Sequence, residues 1–165
     1  MHELGTGGDD GHARPLPDLA VLSDAGDLFL LGHQGGGLFD VVQVATSLGA
    51  AFLSAADFDR DGNLDLVTPA RAGLDSSIRV FRGDGAGGFA PSDEFLLSNS
   101  AITALALADL DRDGALEAIA ADSSAKLVLA RGAGPGRLSV RSAVQLLSAP
   151  RDLLILKGEG KAHDL

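Results

Sequence analysis

Asp57-Phe58-Asp59-Arg60-Asp61-Gly62-Asn63-Leu64-Asp65 places four carboxylates at odd positions of a nine-residue stretch, with Gly sixth and an apolar residue eighth. Oxygens at that spacing can wrap around one hard cation. Asp109-Leu110-Asp111-Arg112-Asp113-Gly114-Ala115-Leu116-Glu117 repeats the pattern. Because both copies sit inside longer matching segments, they point to a repeated architecture.

Working outward, the acids that close each stretch fall at Asp18, Asp65, Glu117 and Asp164, at intervals of 47, 52 and 47 residues. Periods of about 40 to 50 residues with several strands per unit suggest propeller blades. Repeat units are expected at approximately 18–64, 65–116 and 117–163 of a single domain spanning 1–165. Residues 1–17 are read as a tail with an expanded, degenerate loop: Asp9-Asp10-Gly11 keeps the Asp-Gly step, but Thr6 and Gly8 stand at earlier acidic places. Towards the other end Ile155 and Lys157 replace ligand positions, so no ion is expected at 155–164.

Strands are expected at 18–22, 27–31 and 39–46, then at 65–68, 77–82 and 89–97, and again at 117–121, 125–130 and 138–147. Glycine turns at 32–37, 83–88 and 132–137 precede the last of each set; they suit a positive φ and a strand that follows, not a phosphate-cradling loop that opens a helix. The segments 50–58, 101–110 and 151–157 lead into the acidic loops. Their apolar residues on both faces predict the most buried strands. The fold class is therefore all-β, with about three four-stranded blades; three do not close a ring. Two arrangements satisfy this, a partial propeller completed by further blades or half of a six-bladed dimeric ring, in which each copy lends its last strand to the other's open first blade.

A helix-loop-helix cation site is the rival reading of 101–121. It requires a bidentate Glu at the twelfth loop place, where Thr68 and Ala120 stand, and Pro69 would interrupt the exiting helix.

Composition narrows the function classes. Hydrophobic residues make up 45% of the chain, enough for a real core, yet there is no Trp or Tyr, so that core is built from small aliphatics and seven Phe. The formal charge of −10 and the lack of a basic stripe speak against nucleic acid. Eight of the 23 acidic residues lie in the two loops, and two divalent cations would reduce −10 to −6. No Cys is present, which excludes disulfides and thiolate chemistry. Apolar runs are too short for a membrane helix, and the first residues carry no signal-peptide pattern. The four His, at 2, 12, 33 and 163, and the turn serines show no triad order or paired metal spacing, so no catalytic residue is expected.

The two acidic loops in a period near 50, with Gly83 to Phe89 downstream, resemble the FG-GAP or VCBS repeat family, the repeat of integrin α-subunit propellers and of many secreted bacterial proteins. The resemblance implies four-stranded blades with a calcium loop between first and second strand. It also implies two Ca2+ sites, with ligands from Asp57, Asp59, Asp61 and Asp65 plus the Asn63 carbonyl, and from Asp109, Asp111, Asp113 and Glu117 plus the Ala115 carbonyl. Glu117 departs from the usual Asp. The function then expected is a non-enzymatic, calcium-stabilised scaffold or adhesive binding surface for a protein or carbohydrate ligand. Its place is extracellular, periplasmic or at the cell surface, as part of a larger precursor, and its partners are the remaining blades or a second copy. The alternative is an accessory or partial catalytic propeller of a secreted carbohydrate-active lyase or hydrolase, with its active residues elsewhere.

Overall fold

The computed structural model describes residues 18–46, 48–50, 52–132 and 138–156. Among the described residues eleven strands follow one another without a helix. The first sheet holds β1 (Leu19–Leu22), β2 (Leu28–Gly35) and β3 (Leu38–Ala45). The second holds β4 (Ser54–Ala56), β5 (Asp65–Ala72), β6 (Asp75–Gly83) and β7 (Phe89–Ser98). The third holds β8 (Ile102–Ala108), β9 (Glu117–Asp122), β10 (Lys126–Gly132) and β11 (Leu138–Gln145). Each sheet is an antiparallel meander in chain order. The all-β class and the four-stranded second and third sheets agree with the sequence reading; the first sheet has three strands among the described residues. The helix-loop-helix rival is excluded, since both loops run from strand to strand.

The sheets stack through two apolar layers. Leu28, Leu48, Leu66 and Phe81 join the first sheet to the second, with Phe89 and Leu53 at the margin. Phe58, Val67, Ile78, Val80, Ala118 and Ala120 join the second to the third. Strand alternation explains how β5 serves both: Leu66 faces one layer and its neighbour Val67 the other. The middle sheet is thus covered on both faces, which is why small Ala and Val suffice where the sheets approach closely.

Backbone hydrogen bonds tie the connections. Leu48 N–H donates to Gly26 O, and Arg71 N–H to Leu48 O, so the chain leaving the first sheet is clamped between two hairpins. Gly26, at φ 78°, makes that approach possible, because a Cβ there would lie 2.6 Å from Gly49 N. Pro69 sits on β5 beyond the Ser54↔Val67 end of the β4 ladder, where no N–H is required. Thr68 supplies a bond of its own there, its hydroxyl donating to Phe52 O at 2.7 Å.

Three expectations need correction. The strand leading into each loop is not the most buried: β8 is half-buried except at Ala104, whereas β9 is buried throughout. The reason is position, since β8 and β4 are edge strands with one ladder each. Residues 151–156 form no strand, since none of the described strands pairs with them. The first glycine turn is tighter than expected, with β2 continuing to Gly35 and only Gly36 and Gly37 turning. The third turn at 133–137, the N-terminal loop and the last acidic shadow lie outside the described residues.

On the outer half of the second sheet, Glu94 of β7 accepts from the Ser77 hydroxyl at 2.5 Å and pairs with Arg79 at 2.6 Å. The hydroxyl first, then the guanidinium, hold its carboxyl below the ordinary glutamate range. A lowered folded pKa contributes stability above the unfolded value that is lost as pH falls through the folded one. Because the pair is well exposed, its worth is at most about 1 kcal/mol. Glu94→Gln should therefore lower the melting temperature by about 2–4 °C near neutrality. In acid below the glutamate range, wild type and variant should melt together.

Candidate metal centres

Each acidic loop begins where an edge strand ends and closes at the first residue of the next strand. In the first loop that closing residue, Asp65, is buried at 1% exposure. Its Oδ2 accepts from Phe58 N–H at 2.9 Å and Asp59 N–H at 3.3 Å, and its Oδ1 from Gly83 N–H at 3.0 Å. One carboxylate thus binds both ends of the loop to the end of β6. Gly83 has to be glycine for this, since a Cβ would fall 2.0 Å from the Leu64 carbonyl oxygen.

The remaining acids fold the loop inward. Asp57 Oδ2 accepts from Gly62 N–H, Asp59 Oδ1 from Asp61 N–H, and Asp61 Oδ1 from Asn63 N–H, a run of Asx-type turns. The turn at the sixth place needs the positive φ of Gly62, 91°. Side-chain oxygens of Asp57, Asp59 and Asp61 come within 4.8 Å of one another and can hold a metal ion. Burial first, and the charge of Asp65 second, push the Asp59 carboxyl above its ordinary range. Asp61 moves the other way, held down by the Asn63 N–H and by Arg82.

The second loop repeats this with one change. Glu117, 2% exposed, spends only Oε2 on the loop, accepting from Leu110 N–H at 2.8 Å. Its Oε1 is buried without a hydrogen-bond donor, and the Glu117 carboxylate groups with Asp109 and Asp111 within the same 4.8 Å. The longer side chain therefore reaches where Asp65 does not. Asp109 accepts from Asp113 and Gly114 N–H, and Asp113 from Ala115 N–H.

Of the ten residues singled out from the sequence, the structure brings six into two groups: Asp57, Asp59 and Asp61, and Asp109, Asp111 and Glu117. Asp65 stands apart as a loop clamp, and Asp113 faces arginines. Asn63 and Ala115 take part through their N–H groups. What sequence reasoning missed is the basic set around the loops. Arg82 Nε lies 2.9 Å from Asp59 Oδ2, and its Nη2 2.9 Å from Asp61 Oδ2. Arg131 pairs with Asp111 and Asp113, Arg141 with Asp111 at 2.8 Å, and Arg60 of the first loop with Asp113 at 3.3 Å. The signal was present in the parallel Arg82-Gly83 and Arg131-Gly132 steps.

The residues fit a cation. Asp57 Oδ1 and Glu117 Oε1 are buried carboxylate oxygens with no donor, an arrangement that costs several kcal/mol unless positive charge reaches them.

The two closing acids make different predictions from the grouped ones. Asp65→Asn substitutes an NH2 where three N–H groups converge, leaving donors opposed and costing about 1–3 kcal/mol. Its melting temperature should fall by about 3–10 °C in chelator as well as in calcium. Asp57→Asn should cause a much smaller loss in chelator.

Comparison with curated proteins and with solved structures gives no match. A family model described as FG-GAP-like repeat matches residues 70–120. The matched stretch runs from the end of β5 through β6, β7 and β8 and the second acidic loop into β9, so the sequence repeat straddles the boundary between two sheets. Over those residues, which include the second acidic loop, the chain is similar to an FG-GAP-like repeat, set within successive antiparallel sheets.

Proposed function

We propose that the chain is a calcium-stabilised, non-enzymatic repeat segment that serves as a scaffold or binding surface for protein or carbohydrate ligands outside the cytoplasm. The observation that carries the metal is the pair of buried, donorless oxygens, Asp57 Oδ1 and Glu117 Oε1, each within a group of three acids. Carboxylate oxygens on a flexible loop, without imidazole or thiolate, favour calcium over transition metals. Asp57, Asp59 and Asp61 would hold one ion and Asp109, Asp111 and Glu117 the other. When bound, calcium supplies the positive charge that the clustered carboxylates lack.

The role is structural because each loop joins an edge strand to a buried one. Asp65 and Glu117 already fasten these junctions, and the ion adds to that fastening. A cleft of about 700 Å³ supports the binding role; Asp18, His33, Gln34, Asp40, Gln43 and Phe89 are among its lining residues. Aromatic and apolar faces beside several hydrogen-bonding side chains suit a sugar or a polar peptide. The partners on the remaining surface are further blades or a second copy. Supporting this, among the described residues β1 pairs only with β2, and Leu19 and Val21 are exposed.

A thermal melt with and without chelator tests the metal. Calcium at about 100 times its Kd adds ~2.7 kcal/mol per site. At about 2–4 °C per kcal/mol, each filled loop should raise the melting temperature by roughly 5–10 °C. Asp59→Ala and Asp111→Ala should each remove one loop's share. A melting temperature indifferent to chelator and to both substitutions would sink the calcium reading. For the ligand, glycan-array binding without turnover is expected, and polysaccharide cleavage or elimination by the chain would replace the scaffold reading with an enzymatic one.

A further inference from the structure

We propose that Arg82 and Arg131 are resident counter-cations of the two acidic loops, holding the carboxylates in the metal-free protein and leaving them when a divalent cation binds. The inference rests on the metal reading above and adds what sets the affinity. Arg82 is the penultimate residue of β6, and Arg131 the penultimate residue of β10. Each reaches across to the loop that opens its own sheet's second strand. Arg82 engages two of the three grouped acids at once, Asp59 and Asp61, both at 2.9 Å. Arg131 lies 3.6 Å from Asp111 and pairs directly with Asp113.

An internal comparison supports the pairing of arginine with loop. In the first unit Leu31 stands before Gly32, at the place of Arg82 before Gly83 and Arg131 before Gly132. The acidic stretch of that unit is the one that lacks the spacing, with Thr6 and Gly8 at acidic places. Intact loop and arginine therefore occur together, and are lost together.

The chemistry makes the two cations exclusive. A guanidinium brings one charge and fixed N–H donors to oxygens that a divalent ion needs for its own shell, and the two positive charges repel at that distance. The Arg82 side chain is 43% exposed, so it can withdraw into water without unpacking the core. Competition of this kind stabilises the metal-free loop and weakens apparent calcium binding by the same coupling. The second loop is the more heavily countered, since Arg141 also holds Asp111, at 2.8 Å.

Calorimetric titration of the full chain with calcium alone, on wild type, Arg82→Gln and Arg131→Gln, tests this. Arg82→Gln is expected to tighten its loop by ~10-fold, within the usual span of coupling between competing ligands. Arg131→Gln should give a smaller gain because Arg141 remains, and both variants should melt at lower temperature than wild type in chelator. Unchanged or weaker affinity in variants of a calcium-binding wild type would overturn the exchange and leave the metal reading standing. No binding by wild type or variants at millimolar calcium would remove both. Should a variant not fold, arginine Nε–H resonances of wild type give the answer. The hydrogen-bonded Arg82 signal should be lost at calcium saturation, and its persistence unchanged would overturn the proposal.

Discussion

A buried carboxylate at the first residue of a strand closes each acidic loop, and the order of the second and third sheets depends on that closure. Asp65 takes N–H groups from Phe58, Asp59 and Gly83, thereby joining the end of the loop's leading strand to the end of β6, two strands away. Phe58 is consequently held in the layer between the second and third sheets, beside Val67 and Ile78. Loop closure and core packing are in this way one event: the loop cannot open without lifting an aromatic ring out of the core. The close contact of Gly83 with Leu64 O enforces the same geometry from the other side.

Clamping a loop with carboxylates concentrates negative charge, and the molecule answers with arginine at every approach. Arg82 and Arg131 come from within the sheet, Arg141 from its outer strand, and Arg60 from the neighbouring loop. Most of these pairs are partly exposed, and each exposed pair alone contributes little to stability; the Asp59 side chain is the buried exception. Their effect is local: they make crowded aspartates tolerable in water while leaving Asp57 Oδ1 and Glu117 Oε1, both buried, without a donor. A monocation at the rim does not satisfy oxygens that point inward.

Much of this was legible in the residues. The period near 50, the Asp-x-Asp-x-Asp-Gly spacing and Pro69 were enough to distinguish strand-loop-strand from a helical hand, and nine of the eleven described strands overlap the nine segments expected as the strands of the three sets. The other two, β4 and β8, fall in the segments marked as leading into the first and second loops, and β4 is only three residues long. Burial was less legible, because it depends on a strand's place in the sheet: β8 has the more continuous apolar run, yet β9, with strands on both sides, is the buried one. The roles of the loop acids were also hidden. Spacing marks Asp65 and Glu117 as equivalent, but only the path of the backbone N–H groups decides which oxygen is spent on closure and which is free. The arginines were invisible for the same reason, since each meets its carboxylate across strands that are distant in sequence.

The Asp65/Glu117 difference shows how one methylene divides the two sites. With both oxygens committed to N–H groups, Asp65 can close its loop but not enter the acid group, which is completed by Asp61 from within the loop. Glu117 closes with Oε2 and is itself one of the three grouped acids of its loop, so Asp113 is released to face outward to Arg60 and Arg131. That release is what connects the loops. Arg60, held at a positive φ of 66° in the first loop, reaches Asp113 in the second. The Arg60–Asp113 pair thus ties the first acidic loop to the second across the boundary between their two sheets, so the two loops are neighbours in space although 53 residues separate the paired side chains.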